Sequence, residues 1–307
     1  MRGPVEVVGS DAAAVAVAHE VAERWDAAGL GGAFLARNVD TGEELGLDVD
    51  RPMPLASLVK LPLALVVLDA VERGDLRADR PVVVDPASST PGRTGLSAFE
   101  HPATLALVDV VGLALTLSDN AAADALFDLV PPAEVSAVLA GWGLVDLHVR
   151  HRIGDLHDAA DAVADDSEMA LELAVRATTD GGGHVIAMLD VARANTGTAR
   201  AVAELVRRVW ADEVSGPAVT ARVRAALGRQ LTSRRMAVEL DSDTVRVSSK
   251  TGTFLNIRHE AAMLETASGD RVVAVALTES SVPALTSPEA DLAIGHAGRL
   301  ALRTLRT

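Results

Sequence analysis

The chain has 307 residues, of which 49% are hydrophobic and 23% charged, an ordinary composition for a globular protein with one large domain. The formal net charge of -15 argues against a nucleic-acid partner and against binding to an anionic membrane surface. Cysteine and tyrosine are both absent from the sequence. This excludes disulfides, thiolate metal sites, cysteine nucleophiles and any mechanism with a tyrosinate base.

The N-terminal sequence does not resemble a secretory signal, because Arg2 is followed by no long apolar core. We therefore expect a cytoplasmic protein, or an exported protein whose signal has already been removed. No apolar run reaches the length needed to cross a bilayer, so no membrane contact is expected.

The first hundred residues predict a helix, a hairpin and a second, buried helix. Residues 11–28 have the apolar spacing of an amphipathic helix. Residues 32–39 and 44–49 predict a β-hairpin. The nearly continuous apolar stretch at 55–71 predicts a helix in the centre of the fold. Residues 81–101 are rich in Pro, Gly and Ser and predict a loop.

Helical patterns then continue from residue 103 to about 210 and from 217 to 230. After them the period changes to that of three antiparallel strands, at residues 244–249, 259–265 and 271–278. Residues 287–305 predict a closing helix.

This order predicts an α/β fold, in which a five-stranded antiparallel sheet is flanked by the terminal helices and carries an inserted all-helical lobe. We expect a single catalytic domain over residues 1–307. Its α/β lobe would comprise residues 1–50 and 215–307, and its helical lobe residues 51–214. Because ligand sites often lie between such units, we expect the site where the two lobes meet.

Only two of the 28 basic residues are lysines, Lys60 and Lys250, which suggests that these positions require an amine. Arginine cannot give up its proton at any working pH. In Ser57-Leu58-Val59-Lys60 the serine and the lysine are three residues apart, and such residues share a face of a helix. A lysine buried among apolar side chains has a lowered pKa and can activate a serine hydroxyl. A capping serine followed by a solvated lysine is the alternative interpretation.

Two further motifs contain groups that suit catalysis. In Ser118-Asp119-Asn120, Ser118 can relay a proton and Asn120 can hold a substrate carbonyl or amide, although a simple turn between two helices uses the same residues. Lys250-Thr251-Gly252-Thr253 lies at the end of a predicted strand. There a lysine and a threonine can bind a carboxylate, and a glycine lets a substrate backbone approach. Each motif alone also fits a purely structural role, but the three in this order favour a site.

Together these S-x-x-K, S-D-N and K-T-G motifs resemble those of the penicillin-recognising serine enzymes, and most closely the class A β-lactamases. The resemblance extends over the whole chain, including the order of helices and strands. It implies that Ser57 is the acylated nucleophile and Lys60 its activating partner. It also implies that Ser118 relays a proton to the leaving nitrogen and that Asn120 orients the substrate. The serine in the second motif separates the chain from class C enzymes, which use tyrosine there.

The resemblance further implies which groups bind the substrate. Lys250, Thr251 and Thr253, with Gly252 between them, would bind its carboxylate, and the backbone N–H groups of Ser57 and Thr253 would form the oxyanion hole. Arg258 would be an additional cation near Lys250. No metal or cofactor is implied. The expected partner is a β-lactam or a related small acyl substrate, bound by a monomer.

One part of the class A pattern is missing. Those enzymes hydrolyse the acyl-enzyme with a glutamate in an E-x-x-L-N segment after the second motif. Here Gly154 and Asp155 stand where that glutamate is expected. Asp155, Asp158 and Glu168 are candidate replacement bases, and residues 155–195 predict extra helix instead of a plain loop. Because acylation and deacylation are separate steps, the acyl-enzyme could persist.

The sequence therefore leaves three functions open. The leading hypothesis is a serine hydrolase that opens β-lactam rings through an acyl-enzyme. The second is an esterase, amidase or D,D-peptidase-like enzyme, or a penicillin-binding protein with slow deacylation, which the missing glutamate favours. The third is a catalytically silent binding module on the same fold.

Overall fold

The computed structural model describes residues 5–179, 182–231, 235–242, 244–284 and 286–307. The strands are β1 Val7–Gly9, β2 Leu30–Asn38, β3 Glu44–Leu47, β4 Met53–Pro54, β5 Pro81–Val84, β6 Ala103–Ala106, β7 Leu147–His148, β8 Thr196–Gly197, β9 Val245–Phe254, β10 Ile257–Thr266 and β11 Arg271–Ser280. The helices are α1 Ala12–Ala27, α2 Lys60–Glu72, α3 Leu107–Thr116, α4 Asn120–Phe127, α5 Pro132–Gly141, α6 Gly154–Asp161, α7 Ser167–Arg176, α8 Ala199–Trp210, α9 Pro217–Leu227, α10 Met236–Leu240 and α11 Pro288–Leu305.

The main sheet is antiparallel and has six strands in the order β1-β3-β2-β11-β10-β9. The sequence predicts five, and the additional strand is β1, which pairs with β3 by placing Val7 opposite Leu47. A strand of three residues is too short to show an alternating pattern. At the other edge β9 continues to Phe254, and Lys250 pairs with Ala261 of β10. The strand is therefore longer than predicted and includes the K-T-G motif at its end.

The two faces of the sheet are covered by different helices. The terminal helices α1 and α11 pack on one face, where the rings of Trp25 and Phe34 meet edge to face at 5.8 Å. Helix α8 packs against β2, β10 and β11 on the side of the helical core. Burial of a large apolar side chain contributes about 1.5–3 kcal/mol, so these two layers hold the sheet firmly.

Helix α2 is the buried central helix that the apolar stretch predicts. Every residue from Lys60 to Leu68 is buried, and the helix contacts α3, α4, α5 and α9. Lys60, the first residue of this helix, is therefore surrounded by protein and not by water, and this burial changes its acidity.

The sequence predicts an all-helical inserted block, but the structure contradicts this, because the block also contains two small sheets. One has the order β4-β8-β7 and the other pairs β5 with β6, within residues that the sequence assigns to loop or helix. Strands of two to four residues carry too little pattern to be recognised. Helix α9, which the predicted boundary assigns to the α/β lobe, contacts α2, α3, α8 and β9. The division into two lobes remains a prediction. Among the residues described, none of the helices is both long and apolar enough to cross a membrane.

Candidate active site

Ser57 lies in a 3₁₀ turn, Ala56–Val59, directly before α2, and the edge strand β9 packs against this turn. Ala56 has a φ of 46°, a left-handed conformation that costs about 1–3 kcal/mol and persists only where packing enforces it. A Cβ on Gly252 would lie 2.9 Å from the carbonyl oxygen of Leu55. Gly252 therefore lets β9 approach the serine turn of its own chain, where the sequence suggested the approach of a substrate.

Lys60 is fully buried and its ammonium group binds the second motif. The Nζ atom donates to the carbonyl oxygen of Ser118 at 2.5 Å, to Asn120 Oδ1 at 2.7 Å and to Ser118 Oγ at 3.4 Å. In the part of the chain that the structure describes, no hydrogen bond joins Lys60 to Ser57. The direct contact predicted from their spacing is thus not formed in this arrangement. The three acceptors match the three N–H groups of a protonated lysine.

Burial also changes the acidity of this lysine. The loss of solvent lowers the pKa of Lys60 to about 7, although the negative charges of Asp119 and Asp124 oppose the change. Both carboxylates are themselves buried. An amine with this pKa is partly unprotonated at neutral pH, so Lys60 can serve as a base.

Ser118 stands between the two lysines of the chain. Its φ of 55° is left-handed, and its Oγ accepts a hydrogen bond from Lys250 Nζ at 2.9 Å besides the longer one from Lys60. Lys250 also donates to the carbonyl oxygen of Thr251 at 2.8 Å. Burial lowers the pKa of Lys250 well below its usual value, and the positive charges of Lys60 and Arg235 add to this effect. The structure thus brings all three motifs into one connected group.

Asp119 fixes the second motif from within the protein. Its carboxylate accepts hydrogen bonds from the Leu96 N–H at 2.5 Å and the Ser97 hydroxyl at 2.8 Å. It also caps α4 by accepting from the Ala122 N–H at 3.2 Å. Each of these N–H and O–H groups would otherwise lack a partner in a buried site, so Asp119 sets the position of the residues on either side.

Asn120, the first residue of α4, has an amide that is fixed by its neighbours. Its Oδ1 accepts from Lys60, and its Nδ2 donates to the carbonyl oxygen of Pro91 at 2.8 Å. The same Nδ2 lies 3.4 Å from Nε2 of His157 on α6. His157 cannot be predicted from the sequence, because one histidine in a polar segment gives no local signal of this contact.

A second missed residue is Arg235, which lies beside the exposed residue Thr253. The guanidinium of Arg235 donates to Thr253 Oγ1 at 2.9 Å and to the carbonyl oxygen of His259 at 2.6 Å. It also forms an ion pair with Asp291 at 2.9 Å. Its positive charge acts on Lys250, so lysine, arginine and threonine together form a cationic end of the site.

Arg258 does not occupy the position that the resemblance implies. Its side chain is 1% exposed and donates to the backbone carbonyl oxygens of Leu255, at 3.2 Å, and Ala284. The extra cation whose charge acts on Lys250 is Arg235, whereas Arg258 binds backbone carbonyl oxygens. Thr251 is also buried, and its N–H donates to Gln230 Oε1 at 2.9 Å.

The three candidate replacement bases have other surroundings. Asp155 accepts a hydrogen bond from the Arg152 N–H at 2.8 Å and so stabilises the start of α6. Asp158 and Glu168 are exposed on α6 and α7. The two carboxylates whose charge reaches Lys60 are Asp119 and Asp124, which the sequence did not single out as charged partners.

Asp124 holds the segment around Gly154, where the resemblance leads one to expect a glutamate. Its carboxylate accepts from the N–H groups of Ile153 at 2.7 Å and Gly154 at 2.8 Å, and it also binds the hydroxyl of Thr90. A Cβ on Gly154 would lie 3.0 Å from Thr90 Oγ1 and 3.2 Å from Asp124 Oδ2. A side chain at residue 154 would therefore lie in very close contact with the Thr90 hydroxyl and the Asp124 carboxylate. Among the described residues, no group of three or more His, Asp or Glu side chains could hold a metal ion.

Comparisons with known proteins show the family and the fold of this chain. A model of the β-lactamase enzyme family matches residues 16–305. The β-lactamase regulatory protein BlaB of Streptomyces cacaoi is 43% identical over 285 residues, which cover 88% of this chain and 91% of that protein.

Solved structures also share the fold. A β-lactamase from Sphaerobacter thermophilus superposes with a TM-score of 0.75 at 25% identity, over 94% of this chain and 96% of that one. A point mutant of PBP-A, solved as an acyl-enzyme complex with penicillin G, also gives a TM-score of 0.75, at 19% identity over 94% of this chain and 96% of that one. The family match over nearly the whole length and the 43% identical relative show that this chain belongs to the β-lactamase enzyme family.

Proposed function

We propose that this protein is a serine hydrolase of the class A β-lactamase type, in which Ser57 attacks a β-lactam and becomes acylated. The observation that carries the proposal is the buried Lys60, whose pKa is lowered to about 7 and whose ammonium contacts the second motif. A lysine with this pKa can take a proton near neutral pH, and that is what activation of a serine requires.

The contacts of Lys60 suggest how activation begins. The protonated group uses its three N–H groups on Ser118 and Asn120. After it loses a proton it keeps two N–H groups and gains a lone pair, so one acceptor is released. The lone pair then becomes available to Ser57, three residues earlier in the chain. Transfer of the hydroxyl proton to Nζ leaves a nucleophilic oxygen on Ser57.

In the proposed reaction Ser57 Oγ bonds to the carbonyl carbon of the lactam, and the C–N bond of the ring breaks. The ring nitrogen receives a proton through Ser118. The N–H groups of Ser57 and Thr253 would stabilise the oxyanion, because donors aimed at a developing charge lower the barrier. The cationic end formed by Lys250, Arg235 and Thr253 suits the carboxylate of the substrate.

Mass spectrometry of the intact protein mixed with penicillin G tests this proposal. We expect a mass increase equal to the whole antibiotic, located on Ser57 by peptide mapping and absent from Ser57→Ala. A serine that reacts with aryl esters but with no β-lactam would instead support the esterase or amidase. A serine that reacts neither with β-lactams nor with a fluorophosphonate would support the silent binding module.

A second candidate is a penicillin-binding protein that keeps its acyl group and serves in regulation. Gly154 favours it, because this residue offers no side chain where class A enzymes have a glutamate. The name of the Streptomyces cacaoi relative, a β-lactamase regulatory protein, points the same way. The lifetime of the adduct after removal of free penicillin separates the two functions. Release within seconds supports the hydrolase, and persistence for hours supports the binding protein.

A further inference from the structure

His157 is a titratable side chain that the segment after the second motif brings to the site. It lies on α6, and its Nε2 is 3.4 Å from Asn120 Nδ2. The same helix α4 that begins with Asn120 also carries Asp124, which holds the first turn of α6 through the N–H of Gly154. Two contacts with α4 thus place His157 beside Asn120.

The hydrogen bonds of Asn120 indicate which protonation form of the His157 imidazole fits the contact between them. Its Oδ1 faces the ammonium of Lys60, and its Nδ2 faces the carbonyl oxygen of Pro91. A flipped amide would present N–H groups to the ammonium and an oxygen to the carbonyl, and both contacts would be repulsive. An N–H group therefore faces His157, and an imidazole with Nε2 as the acceptor fits this contact.

The nearby carboxylates are already engaged by other groups. Asp119 accepts from the Leu96 N–H and the Ser97 hydroxyl, and Asp124 accepts from two N–H groups of the α6 segment and from Thr90. Both are buried and hold loops in place. His157 is only partly buried, and its acceptor nitrogen has one long contact.

We propose that His157 is the general base that activates the water for deacylation, an inference that rests on the acyl-enzyme proposed above. A separation of 3.4 Å is long for a hydrogen bond between two nitrogens. In the proposed step the two side chains move apart and a water enters between them, where it accepts from Asn120 Nδ2 and donates to His157 Nε2.

The proposed step is balanced without a further reactant. The water oxygen bonds to the ester carbon of acyl-Ser57 while one water proton moves to His157 Nε2. The bond from that carbon to Ser57 Oγ then breaks. The proton held by His157 goes to the serine oxygen, and the product leaves as a carboxylic acid.

Single-turnover measurements on acylated protein test this role. Penicillin G is added to the wild type, His157→Ala and His157→Asn, and both the formation and the loss of the adduct are followed by mass spectrometry. The asparagine variant retains an acceptor for Asn120 but cannot take a proton. His148→Ala, which changes an exposed histidine on β7, is the matched control.

We expect the same acylation rate in all four proteins and deacylation about 100-fold slower in both His157 variants, a typical contribution of a general base. Added imidazole should restore deacylation to His157→Ala, an effect that loss of packing would not produce. Deacylation at the wild-type rate in His157→Asn would overturn the role as a base. Equal persistence of the adduct in wild type and variants would overturn it as well. Failure of the wild type to form any adduct would overturn the acyl-enzyme itself and this inference with it.

Discussion

Acylation of Ser57 is expected to follow the ionisation of Lys60, because only the neutral amine can take the serine proton. For a pKa of about 7, the neutral fraction rises from about 9% at pH 6 to about 91% at pH 8, so the rate should increase about tenfold. A lysine with its ordinary pKa would be only about 0.03% neutral at pH 7. Burial therefore raises the neutral fraction of Lys60 at pH 7 by about 1,500-fold, which corresponds to a free-energy difference of about 4 kcal/mol.

The assay is the rate of acyl-enzyme formation between pH 5.5 and 8.5, measured by rapid quenching with excess penicillin G and mass spectrometry. Lys60→Arg keeps the positive charge but cannot deprotonate, so it should form no adduct. Arg303→Lys, which exchanges the same two residue types at an exposed position of α11, is the control and should keep both the adduct and the pH midpoint. A rate independent of pH across this range, or acylation of Lys60→Arg, would refute the reasoning.

Three further predictions follow from buried groups. Asp124→Asn removes a charge that raises the pKa of Lys60, so the midpoint of the same pH profile should move to lower pH. Gly252→Ala places a Cβ 2.9 Å from a backbone oxygen and should lower the free energy of unfolding in urea by about 1–3 kcal/mol, whereas Gly112→Ala, with open space around it, should not. Burial lowers the pKa of His259 to about 3, so the unfolded chain binds a proton that the folded one does not. Stability should fall as the pH drops below about 6.5, by about 2 kcal/mol at pH 5, and His259→Gln should lose this dependence. An equal acid response in that variant would contradict this assignment.

The sequence predicted the motifs that the structure brings together, although the direct contact expected from the spacing of Ser57 and Lys60 is not formed. The buried helix, the identity of Lys60 and Lys250 as special positions, and the three motifs are all visible in short segments. The structure joins them through Ser118, which contacts both lysines. The absence of the expected glutamate could also be recognised from the sequence, because it concerns one short segment around Gly154.

The residues that sequence reasoning missed come from long-range packing. Arg235 is one arginine among many, and its hydrogen bond to Thr253 of β9 joins residues that are 18 apart in the sequence. His157 reaches Asn120 because Asp124 draws the start of α6 onto α4. No local period encodes such contacts. The same limit explains why Arg258, which is near in sequence, was chosen in place of Arg235.

The position of Ser118 between two lysines gives its hydroxyl a fixed direction. A hydroxyl has one proton and two lone pairs, and here Lys250 at 2.9 Å and Lys60 at 3.4 Å each donate to the oxygen. While both lysines are protonated, the single proton of Ser118 can point to neither and must point to a third group. Ser118 therefore donates to that third group for as long as both lysines keep their protons. It can accept a proton in return only after one lysine has lost its own.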